Sequence, residues 1–210
     1  MVKILFCSIS DRPKFSDKIY NSNNLYYKRY NCDVVYENKS LCNDRHIAWS
    51  KILLLQRELN KDYEGCCAYD YVIWIDDDIL IMNHKIDIRD IINKYDIQNI
   101  MVDNNNNYSH WKINTGIIVC KNNDMTKNIL KEIWETADTK HYFGGVWEND
   151  TMNDYNNIHN TFKVIPHKTI QSFKCCYTDG DFSIHFAGIK CLKTRIELRD
   201  FYLKQISEAS

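Results

Sequence analysis

No run of about 20 apolar residues occurs in the 210-residue sequence, so nothing in it reads as a membrane span. The apolar stretch over residues 1–9 is too short for a signal anchor and meets Asp11-Arg12 at once, which makes a cytoplasmic protein the expectation. Charge of one sign is also lacking. The formal net charge is −1 and the pI about 6.6, leaving no basic excess to draw the whole chain onto nucleic acid or an anionic membrane. No C-x-x-C spacing is present, so a structural zinc site has no support. The nine cysteines are odd in number and include two adjacent pairs, Cys66-Cys67 and Cys175-Cys176, while Cys7 and Cys120 sit in apolar runs. That arrangement reads as reduced, partly buried thiols rather than a disulfide framework. The first apolar run continues as Cys7-Ser-Ile-Ser-Asp-Arg, which has no glycine. A glycine-rich phosphate loop of the kind used by nucleotidyl- and phosphotransferases is thereby excluded. Internal repeats are absent, and the only low-complexity spot is a loop over residues 104–107. Sequons at Asn38, Asn107 and Asn149 are what chance provides in so asparagine-rich a chain. The ending Ile206-Ser-Glu-Ala-Ser suits a cut edge, so the chain is read as one domain that can belong to a longer protein.

What remains is a globular composition, 44% hydrophobic and 26% charged, long enough for one α/β domain over residues 1–210. Apolar runs at residues 2–9, 32–36, 71–75, 97–102, 113–120, 162–165 and 182–186 read as strands. Helical patterns fall at 17–30, 47–59, 87–95, 124–137, 147–157 and 193–206, with Asp124 as an N-cap. Strands alternating with helices predict an α/β fold with a mixed, mostly parallel central sheet.

The most informative segment is Val72-Ile-Trp-Ile-Asp76-Asp77-Asp78, a hydrophobic strand delivering three carboxylates to its C-terminal end. Ligands bind at that edge of open α/β sheets. Strand alternation would send Asp76 and Asp78 to one side and Asp77 to the other. Like charges so close repel unless a divalent, oxygen-seeking cation lies between them. Such a cation has positions left for diphosphate oxygens.

Five short blocks carry a resemblance: Ala48-Trp49-Ser50-Lys51-Ile52, Trp74-Ile-Asp76-Asp-Asp78-Ile-Leu80, Ile113-Asn114-Thr115-Gly116, Trp147-Glu148-Asn149-Asp150, and His185-Phe186-Ala187-Gly188 followed by Lys190. In this order they resemble glycosyltransferase family thirty-four, the fungal galactosyl- and mannosyltransferases and the plant xyloglucan xylosyltransferases. The resemblance implies a single GT-A domain, with a donor-nucleotide half over about 1–102 and an acceptor half over about 103–210. It implies Asp76, Asp78 and His185 as metal ligands, with Asp77 beside them. The metal would be Mn²⁺, which tolerates mixed nitrogen and oxygen ligation, with Mg²⁺ as second choice. Lys190 would meet the diphosphate, Gly188 would let backbone approach it, and Asn114 would line the sugar or acceptor site. Ser8 to Asp11, at the end of the first strand, would seat the nucleoside.

Glu148 and Asn149 fall where that family places an acid–glutamine pair beneath the donor sugar. The shorter Asn149 departs from the pattern, and Glu148 or Asp150 could take its role. Arg45 and Lys51 read as weaker candidates, because a helical lysine is normally solvated, and Trp49 reads as packing. The implied function is a retaining, Mn²⁺-dependent transfer from a nucleotide-diphosphate sugar, preferably a UDP-sugar, to a glycan or glycoprotein acceptor. The alternative is an inactive nucleotide-sugar-binding module of the same fold. Abundant Asn, Ile, Lys and Tyr with two prolines suggest an AT-rich coding source, which a soluble viral or protist member would fit.

Overall fold

A computed structural model describes residues 2–63, 66–105 and 112–209. The sequon at Asn107 and the end of the asparagine run lie outside the described residues.

The elements follow in chain order. Strand β1 (Ile4–Ile9) leads to helix α1 (Pro13–Arg29) and strand β2 (Asp33–Glu37). A 3-10 turn (Ile47–Trp49) runs into α2 (Ser50–Leu59), and a short hairpin follows, β3 (Asp62–Tyr63) and β4 (Cys66–Cys67). Next come β5 (Tyr71–Ile75), β6 (Ile79–Ile81), α3 (Ile88–Tyr95), β7 (Ile100–Asn104) and β8 (Ile113–Lys121). The rest comprises α4 (Asp124–Thr136), α5 (Lys140–Phe143), α6 (Glu148–His159), β9 (Phe162–Ile165), β10 (Ser172–Phe173), β11 (Ser183–His185) and α7 (Leu192–Ala209).

Six strands form the main sheet in the order β2-β1-β5-β8-β7-β9. Only β8 opposes its neighbours; the other strands share one direction, so the sheet is mixed and mostly parallel as expected. Alternate residues supply two cores. Leu5, Cys7, Val72, Trp74, Ile118 and Cys120 face α2 and α4. Phe6, Ile73, Ile75, Ile117 and Val119 face Tyr26 and Tyr27 of α1 and Ile88 and Ile92 of α3. Burial on both faces explains why these strands read as unbroken apolar runs. A second sheet, β10-β11-β6, packs Leu80, Ile184 and Phe186 against Phe15, Ile19 and Ile206 of the first and last helices.

Two details of the helices differ from the sequence reading. Helix α1 starts at Pro13, because proline's fixed φ and missing N–H suit the first helical position. Asn123, not Asp124, caps α4, its side chain accepting from Thr126 N at 2.8 Å. Asp76–Asp78 follow the C-terminal end of β5 directly, as expected, and form a tight turn into β6, closed by Ile79 N donating to Asp76 O at 3.1 Å. Cys7, Cys32, Cys42, Cys120, Cys175, Cys176 and Cys191 are free thiols, and Cys7 and Cys120 are buried.

Candidate functional site

The Asp76–Asp78 turn joins the two sheets. Asp76 N donates to Gly116 O of β8 at 2.8 Å, and Phe186 N donates to Asp78 O at 3.0 Å. These anchors bring His185, on β11, to the acidic turn. His185 Nε2 lies 3.1 Å from Asp78 Oδ1 and 3.8 Å from Asp76 Oδ2. One ligand atom from each of the three residues falls within 4.8 Å of the others. Two carboxylates and one imidazole nitrogen at this separation are a donor set that fits a divalent cation. Burial alone would raise the Asp78 carboxyl, but His185, then Arg12 and Arg195, hold it down at about 2. The Asp76 carboxylate is fixed by Trp74 Nε1, which donates to Oδ1 at 2.6 Å.

Lys51 overturns the expectation for a helical lysine. It is 2% exposed, and its Nζ points from α2 across the sheet edge. The ammonium donates to Glu148 Oε1 at 2.6 Å and Thr115 O at 2.9 Å, and lies 3.1 Å from Asp76 Oδ1. Burial works to lower its pKa, yet Asp76 and Glu148 more than offset this and keep it charged. Burial raises the Glu148 carboxyl; Lys51 opposes that rise and Asp76 adds to it. Glu148 Oε2 is buried without a hydrogen-bond partner among the described residues. Asn149 Oδ1 accepts from Thr115 N at 3.1 Å and Thr115 Oγ1 at 2.9 Å. Glu148 and Asn149 open α6 directly after Trp147, whose φ of 51° is rare for a bulky residue, and whose ring stacks on His46 at 3.9 Å.

These groups line one cleft of about 1000 Å³, together with Ser10, Asp11, Arg12, Asn114, Gly188 and Arg195. Asp77 turns away from the triad toward β1, accepting from Ser10 Oγ and pairing with Arg12. Its carboxyl is pushed up to about 6 by burial and by Asp78, against the pull of Arg12.

Three expected residues stand apart from the cleft lining. Ser8 faces a small neighbouring cavity with Tyr20 and Tyr36. Asp150 serves its own loop, accepting from Val146 N at 2.9 Å and facing His141 Nδ1 at 3.3 Å. Lys190 is exposed, and the C-terminal cation that the structure brings to the triad is instead Arg195 of α7, 3.8 Å from Asp78 Oδ2. Gly188 has φ of +76° with open space around it, so its role is conformational rather than one of crowding. Arg45 and Trp49 are structural. The guanidinium lies 3.7 Å from the Trp134 ring and 4.0 Å from that of Tyr142, and Trp49 Nε1 donates to His141 O at 3.0 Å. Sequence reasoning missed Arg195 altogether, and its only signal was a basic residue near the start of the last helix.

The sequence matches no family model and no curated protein. Solved structures do match. A glycosyltransferase involved in glycosylation of the major capsid of PBCV-1 superposes with TM-score 0.76 at 15% identity, over 95% of this chain and 99% of that one. Mouse xyloside xylosyltransferase 1 matches with TM-score 0.55 at 10% identity, over 90% of this chain and 98% of that one. A Drosophila β-1,4-galactosyltransferase 7 mutant, solved with manganese, UDP-Gal and xylobiose, matches with TM-score 0.51 at 14% identity, over 88% and 71%. The fold is therefore that of the GT-A glycosyltransferases. No helix among the described residues is long and apolar enough to cross a membrane.

Proposed function

We propose that this chain is a retaining glycosyltransferase of the family thirty-four type. It moves a sugar from a nucleotide diphosphate, preferably UDP, to a glycan or glycoprotein acceptor. The observation that carries this reading is the Asp76–Asp78–His185 triad on the floor of the large cleft, at the ligand-binding edge of a GT-A sheet. The three residues would hold Mn²⁺, or Mg²⁺ as second choice. Such an ion offsets charge on a departing diphosphate.

The chain's own groups supply the rest. Ser10, Asp11 and Arg12, just after β1, line the cleft and would meet the nucleoside. Arg195 adds positive charge on the diphosphate side, with Lys190 outside the rim. The unpartnered Oε2 of Glu148 is the carboxylate oxygen available to a positive anomeric centre, and Lys51 holds the other oxygen still. Asn149, its Oδ1 occupied, presents Nδ2 to donor or acceptor hydroxyls, and Asn114 borders the same space. We place the protein in the cytoplasm as one domain.

The test is titration calorimetry with UDP, GDP and UDP-sugars, with and without Mn²⁺. Metal-dependent binding of one nucleotide, lost in Asp78→Ala, is expected. Equal binding by the variant refutes the metal assignment. The occupied Glu148 Oε1 and Asn149 Oδ1 favour a second reading, a binding module without turnover. Metal-dependent hydrolysis of the bound donor separates the two, since only the enzyme releases free sugar.

A further inference from the structure

His185 is held on its face and on one edge. Its ring runs nearly parallel to Phe173, planes 16° apart and centroids 5.6 Å apart. Nε2 faces Asp76 and Asp78. Nδ1, on the opposite edge, is buried and has no hydrogen-bond partner among the described residues. A second buried atom is in the same condition, Gln171 Oε1. A β-carbon built on Gly116 would lie 2.5 Å from that oxygen and 2.9 Å from His185 Nδ1. Both orphan atoms therefore border one notch, which exists only because residue 116 has no side chain.

The oxygen's direction is fixed. Gln171 Nε2 donates to Asn114 O at 3.2 Å, and reversing the amide would set two acceptors against each other. The backbone is fixed as well, since Gln171 N donates to Asp103 Oδ2 at 2.9 Å, a carboxylate 1% exposed on β7. An imidazole that gives its Nε2 lone pair to a metal carries its proton on Nδ1. A buried N–H without an acceptor loses its hydrogen bond to water and gains none in return. Metal-binding histidines ordinarily donate that proton to a carbonyl or carboxylate, which sets tautomer and ring orientation.

We propose that Gln171 is the positioning residue of His185: its Oε1 accepts the Nδ1–H, directly or across one water in the Gly116 notch, and so keeps Nε2 for the metal. This rests on the metal reading of the triad. Gly116 is then required for a chemical reason, because any side chain there would occupy the space the two atoms share.

The test is Mn²⁺ affinity by calorimetry on the metal-free protein, independent of any transfer reaction. Gln171→Met removes the acceptor at similar volume and should weaken Mn²⁺ about 10- to 100-fold. Gln171→Glu retains an acceptor and should stay within about threefold of wild type, the sign that the acceptor rather than the shape matters. In a His185→Asn background, adding Gln171→Met should cost nothing further, as expected of a residue acting through His185. If Gln171→Met binds like wild type while His185→Asn is weakened, the assignment of Gln171 fails and the metal site stands. If His185→Asn binds like wild type, both fail. A further loss of equal size in the double variant shows a general disturbance of the cleft and also overturns the proposal. Melting of the metal-free variants checks the fold. If Gln171→Met does not fold, Gln171→Asn, which withdraws the amide by one methylene, supplies the same comparison.

Discussion

Replacing Lys51 with methionine keeps most of the side-chain volume and removes one buried charge. The Lys51 side chain is 3% exposed and that of its partner Glu148 5%, so little solvent can take its place. Asp76 is a second counter-ion to the ammonium, 27% exposed and so partly screened by water. Removing one partner of a buried pair and stranding the other costs about 3–5 kcal/mol. For a domain of this length, that corresponds to a fall in melting temperature of about 6–20 °C. The assay is urea and thermal unfolding of the metal-free protein, followed by circular dichroism. Adding Glu148→Gln to the Lys51→Met variant removes the stranded charge and should recover more than half of the loss. A Lys51→Met variant that melts within about 2 °C of wild type would refute the counter-ion role. So would a double variant no more stable than the single one.

Two further predictions concern the scaffold. Arg45→Ala removes a guanidinium layered between Trp134 and Tyr142 and its hydrogen bond to Trp134 O, and should cost about 3 kcal/mol in urea unfolding. Mn²⁺ affinity should not change, and a large change would mean that this aromatic layer shapes the cleft. The Asp181 carboxyl is held below its ordinary range: burial opposes this, but Thr178 N, Ser172 Oγ and Lys168 stabilise the anion. A depressed folded pKa means the stabilisation is present above the unfolded value near 4 and is lost as pH falls through the folded value. The stability gap between wild type and Asp181→Asn should therefore narrow from pH 7 to pH 3, and a constant gap contradicts the ion pair.

Much of this architecture is visible in the sequence because strand burial on both sheet faces leaves unmistakable apolar runs. The acidic turn is visible for the same reason, since three carboxylates directly after Val-Ile-Trp-Ile have nowhere to be but at the sheet edge. His185 and Asn149 were reached through the resemblance and lie on the cleft wall. Lys51 was misread because its environment depends on a carboxylate 97 positions away. The same holds for Gln171, whose significance comes only from a glycine on β8 and a histidine on β11. Local rules failed where two residues competed. Asn123 and Asp124 are both good caps, and the choice between them was decided by which side chain could reach Thr126 N.

The main sheet is complete once β9 ends at Ile165, yet His185 arrives later, on a strand that pairs with β6 rather than with that sheet. During synthesis the acidic turn therefore emerges well before its third donor, and the two carboxylates wait with Lys51 and Arg12 as nearby positive charge until the C-terminal segment docks. Opening of that segment in the finished protein would dismantle the triad while leaving the six-stranded sheet intact. Hydrogen exchange in β10, β11 and α7 should accordingly slow when Mn²⁺ is added, with the interior strands unchanged. The metal site would then act as a latch between an early-forming and a late-forming part of one domain.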